Sequence, residues 1–166
     1  GIILYGLKPS DECPMPIDLR PVMRLKARLA MVKQVPPGVG VSYGSIYHTQ
    51  KESSLATIPI GYADGYTRML SRKAQVLLRG QRAPVVGRIC MDQCMVDVSA
   101  VPQVKVGETV TLIGRDGENE ITAAEIAGIM ETIHYEVVCD ISKRVTRVYL
   151  KNGKEVSVLD CILDKY

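Results

Sequence analysis

From residue 20 onward, most of the chain alternates apolar and polar positions with a period of two. Leu25, Ala27, Leu29 and Met31 face one way and Lys26, Arg28 and Ala30 the other, which predicts one strand over 25–31 with a single buried face. Pro36-Pro37-Gly38 then interrupts the ladder, because proline lacks the N–H donor and glycine accepts left-handed angles. The same pattern predicts strands at 41–47, 56–60, 75–79, 85–89, 95–98 and 109–113, with Gly61, Gly65, Gly80, Gly107 and Gly114 between them as turns. Many short strands punctuated in this way predict a mainly β barrel or sandwich.

One segment changes period. Thr122 followed by Glu125 forms a capping-box pattern, and Ile126, Ile129, Met130 and Ile133 then fall on one helical stripe. These positions predict a single short α-helix over about 122–134. Beyond it, apolar runs at 145–150 and 155–159 flank Lys151-Asn152-Gly153-Lys154, and Asn-Gly is the strongest short hairpin signal. The opening differs: 1–6 is apolar, and 8–16 gathers Pro9, Ser10, Asp11, Pro14 and Pro16. Residues 1–19 therefore read as the end of a preceding element plus a connector, and 20–166 as one β domain.

Composition narrows the classes. A chain of 166 residues and 18.2 kDa buries roughly 70% of its unfolded surface, enough for one core. It is too short for an eight-fold α/β barrel, which needs about 250 residues. The formal net charge of +3 comes without a long basic run, so nucleic-acid binding is permitted but not indicated. No apolar stretch approaches the roughly 20 residues that span a bilayer, and no charged-then-apolar leader opens the chain. An opening at Gly1, inside an apolar run, leads to the expectation of a piece of a longer protein. The five cysteines show only one C-x3-C spacing, and the chain has only two histidines, His48 and His134. That set predicts reduced thiols and no metal site.

Three segments could carry chemistry. Residues 58–66, IPIGYADGY, run from a strand into a turn that projects Tyr62 and Tyr66. Residues 41–44, VSYG, place Tyr43 before a glycine. Residues 85–99, VVGRICMDQCMVDVS, interrupt an apolar strand with Arg88, Asp92 and Gln93, polar groups that need partners if buried. Taken singly, each reads first as strand and turn, with tyrosine or methionine covering a core.

In this order and at these intervals, the three motifs resemble the C-terminal domain of the alanine racemase family. The resemblance runs from Gly1 to about Tyr149, through Thr132-Ile133-His134-Tyr135-Glu136-Val137 and Arg144-Val145-Thr146-Arg147. A related branch, the serine/alanine racemases of vancomycin resistance, has a similar domain and a membrane tether. Alanine and serine differ by one hydroxyl, and the sequence leaves the choice open.

The resemblance implies a pyridoxal 5′-phosphate-dependent enzyme whose N-terminal α/β barrel is absent here, and with it the Schiff-base lysine. It implies a head-to-tail homodimer, cytoplasmic unless tethered, in which this domain caps the partner subunit's cofactor. Tyr43 matches the catalytic base that takes the α-proton of the L-amino acid. Met91 matches the residue whose backbone meets the substrate carboxylate, with Asp92 beside it. Tyr62 and Tyr135 match the narrow entryway, Tyr135 also bonding the cofactor phosphate. Arg68, Arg88 and Ile133 match the outer lining, and Gly1 and Ile2 the end of the phosphate loop. Racemisation removes a proton from one face of Cα and returns one to the other, so acid–base groups are needed on both sides. A free phenol ionises near 10, so a phenolate at pH 7 costs about 4 kcal/mol unless nearby cations offset it. Arg68 and Arg88 are the candidates within this chain, although the resemblance implies a closer arginine on the absent barrel.

Two other classes stand beside this reading. A non-catalytic β-barrel binding module accounts for the strands and the mild positive charge, but not for three motifs in register. A self-contained enzyme pairing Cys90 or Cys94 with His48 or His134 would need those side chains to meet.

Overall fold

The computed structural model describes residues 1–10, 12–14 and 16–163; of the expected connector breakers, Asp11 lies outside the described residues. A 3-10 turn, Ile2–Tyr5, opens the chain and is closed by Gly6 in the left-handed region. The strands follow as β1 (Leu25–Arg28), β2 (Met31–Val35), β3 (Gly40–Val41), β4 (Tyr47–His48), β5 (Ser53–Ile58) and β6 (Gln75–Leu78). Next come β7 (Gln81–Val86), β8 (Cys94–Asp97), β9 (Thr109–Asp116) and β10 (Asn119–Ile121). Two helices, α1 (Ala123–Met130) and α2 (His134–Asp140), precede a terminal hairpin of β11 (Arg147–Lys151) and β12 (Lys154–Leu159).

The main sheet runs β1-β9-β6-β7-β8-β5-β2, with β10 added on β9, and all its pairings are antiparallel. The segment expected as one strand over 25–31 is two, β1 and β2, at opposite ends of that order. Leu29 and Ala30 make the switch: Leu29 N–H donates to Glu108 O at 2.9 Å, and Ala30 N–H to Thr57 O at 2.9 Å. Two consecutive residues thus bond to opposite edges of the sheet, which forces it to curl into a half-barrel. Period-two alternation persists through the switch, so the pattern alone did not show it. Ile58, Val76, Val96, Val110 and Leu112 share one face of the sheet inside the curl, all fully buried.

The predicted helix over 122–134 also divides. Thr122 caps α1 as expected, its hydroxyl accepting from Glu125 N–H at 3.0 Å. The Glu125 carboxylate engages Arg82 on β7 instead of completing the capping box, at 2.6 and 3.0 Å. The chain leaves α1 through Glu131 at φ 59°, ψ 41°, a left-handed cap, and α2 starts at His134. Ile126 and Met130 are buried on the predicted stripe, whereas Ile133, beyond the break, faces outward. The Asn152-Gly153 hairpin forms as expected, with Lys151 opposite Lys154. Among the described residues, no helix is long and apolar enough to cross a membrane.

Candidate functional site

The segment expected as a strand over 41–47 breaks in its middle. β3 pairs with β4, Gly40 opposite His48 and Val41 opposite Tyr47, and a 3-10 turn over Tyr43–Ser45 stands out between them. Ser42 at φ 62°, Gly44 at φ 69° and Ser45 at φ 44° bend the chain there. Two bonds fasten the bend to the segment that follows β7: Ser42 Oγ donates to Arg88 O at 2.6 Å, and Arg88 Nη1 donates to Tyr43 O at 3.0 Å. Gly44 has φ 69°, which favours glycine, and a Cβ there would meet the Arg88 guanidinium at 2.1 Å and push it off the Tyr43 carbonyl. The turn leaves the Tyr43 side chain 74% exposed with a cation at its base.

The second and third segments lie against each other. Tyr62 N–H donates to Cys90 O at 3.0 Å, and Ala63 N–H to Met91 O at 3.0 Å. A Cβ on Gly61 would approach Cys90 O to 2.2 Å and Met91 O to 2.4 Å. The Asp64 carboxylate is buried and accepts from Gly61 N–H at 2.8 Å, locking the turn. Tyr62 and Met91 are held outward, 42% and 53% exposed. Among the described residues, the Met91 and Asp92 N–H groups have no hydrogen-bond partner. Two adjacent unpaired amide donors at a fixed bend suit an anion such as a carboxylate.

The end of α2 completes the cluster. A Cβ on Gly65 would stand 2.2 Å from Asp140 O, and Ser142 N–H donates to Asp64 O at 3.0 Å. Tyr135 lies in the first turn of α2, 36% exposed and in tilted contact with the His134 ring. Side-chain-to-backbone bonds therefore join the Tyr43 turn to Arg88, and backbone contacts join the 61–65 turn to Cys90 and Met91 and again to the end of α2. The chemistry is that of exposed phenols, a guanidinium and free amide donors, with no lysine among them.

The family model described as "Alanine racemase, C-terminal domain" matches residues 22–149. This chain belongs to that family. A curated relative from Desulfovibrio desulfuricans, "Alanine racemase", is 82% identical over 151 residues, covering 91% of this chain and 40% of the relative. The chain spans about 40% of the length of the curated relatives it matches. Among solved structures, the Bacillus anthracis alanine racemase with bound L-Ala-P is 44% identical and superposes with a TM-score of 0.93, covering 99% of this chain and 42% of that one. The Bartonella henselae alanine racemase with covalently bound pyridoxal phosphate is 33% identical with a TM-score of 0.77, covering 85% of this chain and 38% of that one.

In this alanine racemase C-terminal domain, the remaining expected residues divide. Arg68 is exposed on the 3-10 turn Arg68–Leu70, whose Ser71 cap reaches Ile89 N–H at 3.0 Å, so it flanks the Arg88 segment. Ile133 is 61% exposed at the start of α2, beside Tyr135. Gly1 and Ile2 lie in the opening turn, Gly1 O accepting from Leu4 N–H at 3.0 Å and Ile2 O from Leu7 N–H at 3.4 Å. Tyr66, paired with Tyr62 in the sequence reading, is core, and burial pushes its phenol far above the ordinary range. Burial likewise pushes the Cys94 thiol up to about 12, which makes it a poor nucleophile at neutral pH.

Two contributors escaped the sequence reading. Ser42 hooks the Tyr43 turn, and Arg144 reaches both Asp64 and Asp92. Only the buried Asp64 carboxylate calls for a polar partner, and the sequence does not say which cation supplies it.

Proposed function

We propose that this chain is the C-terminal domain of a pyridoxal 5′-phosphate-dependent racemase that interconverts L- and D-alanine, and that it is inactive alone. It lends Tyr43 to the active site of a partner subunit in a head-to-tail homodimer. The observation that carries this reading is a tyrosine set outward on a glycine turn, tied through Arg88 to the segment bearing the free Met91 N–H.

The residues fit one edge of the cofactor. Tyr135 offers an exposed phenol to the phosphate, while the absence of a lysine in the cluster leaves covalent attachment to residues outside this chain. When bound, pyridoxal 5′-phosphate supplies the electron sink that lets a proton leave Cα. This chain's part is to hold and move protons. The Tyr43 oxygen takes the α-proton of L-alanine, and in the reverse direction returns one to the same face. The Met91 N–H receives the substrate carboxylate, Tyr62 and Tyr135 narrow the approach, and Arg68, Arg88 and Ile133 line its outer part. Arg88 also holds the Tyr43 turn in place by donating to the Tyr43 carbonyl at 3.0 Å.

The test exchanges the matched segment of the Desulfovibrio desulfuricans racemase for this chain and follows the optical rotation of L-alanine with pyridoxal phosphate present. Racemisation by the chimera, with none by residues 1–166 alone, supports the reading. A folded, dimeric chimera without activity, or a chain that retains a nucleic acid through purification, overturns it in favour of a binding module.

A further inference from the structure

Arg144, in the loop between α2 and β11, joins two carboxylates of the candidate site. Its Nε donates to Asp64 Oδ1 at 2.7 Å, and its Nη2 pairs with Asp92. The two acids differ in setting. The Asp64 side chain is 10% exposed and already accepts the Gly61 N–H, whereas the Asp92 side chain is 60% exposed. Asp92 also belongs to the bend whose own N–H and that of Met91 lack partners among the described residues. A carboxylate beside donors intended for a substrate carboxylate raises an electrostatic difficulty, since like charges repel most strongly where water is displaced.

We infer that Arg144 is a positioning residue for carboxylate binding: it fixes the Met91–Asp92 bend against the Tyr62 turn and cancels the charge of Asp92. The inference rests on the proposed racemase reading for the identity of the substrate, though not for the charge cancellation itself. Arg144 does not touch substrate; it acts through Asp92 and Asp64. The planar fork of a guanidinium reaches two carboxylates at once, which a single ammonium does not reproduce. With Asp64 buried and fixed to the Gly61 turn, Arg144 is anchored at one end and Asp92 is the movable end. Loss of the arginine therefore leaves a free negative charge next to the two amide donors. Loss of both Arg144 and the Asp92 charge leaves the donors without the repulsion.

That reversal separates the inference from a merely structural role. The first arm titrates ¹⁵N-labelled residues 1–166 with sodium acetate and follows the Met91 and Asp92 amide signals. Arg144→Gln is expected to weaken acetate binding at least five-fold, and Asp92→Asn added to Arg144→Gln to restore it to within about two-fold. The second arm measures KM and kcat for L-alanine in the full-length enzyme carrying this domain. There Arg144→Gln is expected to raise KM about ten-fold with kcat within three-fold, and the double variant to recover KM. Should Arg144→Gln fail to fold, Arg144→Lys, which keeps the charge without the fork, is expected to raise KM at least three-fold at an unchanged Tm. Acetate that moves neither amide in the unaltered chain overturns the inference, as do equal losses in the single and double variants or an unchanged KM in Arg144→Lys. An inactive full-length enzyme whose isolated domain shows the acetate pattern overturns the racemase reading and leaves the charge cancellation standing.

Discussion

The body of the half-barrel and its rim are held by different forces. In the body, Ile58, Val96, Val110 and Leu112 are fully buried, and their removal from water stabilises the fold by about 1.5–3 kcal/mol each. At the rim, Tyr43, Tyr62 and Met91 point outward and contribute little burial. Their positions come from left-handed turns, close glycine contacts and the forks of Arg88 and Arg144. The difference teaches that body and rim should fail separately: one in stability, the other in chemistry.

The largest separation is expected from Tyr43→Phe. Its turn is fixed through Ser42 Oγ, Gly44 and the Tyr43 carbonyl, none of which needs the phenol oxygen. Racemase turnover of the chimeric enzyme should fall about 10²–10⁴-fold, the usual range for a lost acid–base group, while the Tm of residues 1–166 stays within about a degree. A comparable fall in Tm would erase the distinction. Leu112→Ala should do the reverse, lowering unfolding free energy by about 2–5 kcal/mol in a urea titration and leaving turnover per folded molecule unchanged.

Gly61→Ala should blur the two. Its methyl would sit 2.2 Å from Cys90 O, so the bend at Met91 must shift. A loss of about 1–3 kcal/mol is expected together with a raised KM for L-alanine. The smallest effect belongs to an arginine fork remote from the rim. Arg79 Nε and Nη2 donate to Glu108 at 2.8 and 2.6 Å, which holds the Glu108 carboxyl below the ordinary range, with the Lys105 N–H adding to the shift. A depressed carboxylate contributes stability that is fully present above its unfolded pKa of about 4.3 and is lost as the pH falls through the folded value. The Tm difference between wild type and Glu108→Gln should therefore be greatest near neutral pH and close towards pH 3. A gap of constant size would show that the ion pair has no part in it.

The sequence carried the body well and the rim unevenly. Alternation located β6, β8 and β9, and the stripe located α1, because local periodicity reports which face is buried. It did not report the partner exchange at Leu29 and Ala30, since the apolar alternation runs on in the sequence to Met31, which the structure leaves 51% exposed at the start of β2. The strand expected over 41–47 broke because Ser42, Gly44 and Ser45 take left-handed angles supported by Arg88, some 45 residues away. The helix expected to run to 134 stopped at Met130 because Glu131 adopts a left-handed cap. The motif resemblance named Tyr43, Tyr62, Met91 and Tyr135 as one group; contacts join the loops of the first three, whereas Tyr135 stands in the first turn of α2, away from the Asp140–Ser142 end that touches the 61–65 turn. Arg144 escaped because a cation's partners are set by the tertiary fold, with Asp64 lying 80 residues before it.

The central proposal is that Tyr43 serves a site completed by another subunit, and mixing two inactive variants tests it most directly. One full-length subunit carries Tyr43→Phe with its barrel intact; the other keeps Tyr43 but has its cofactor-binding lysine replaced. Dissociated and reassociated together, they should regain racemase activity, because the hybrid contains one complete site. Verified hybrid dimers that stay as inactive as either parent would show that the tyrosine acts within its own subunit, or not at all.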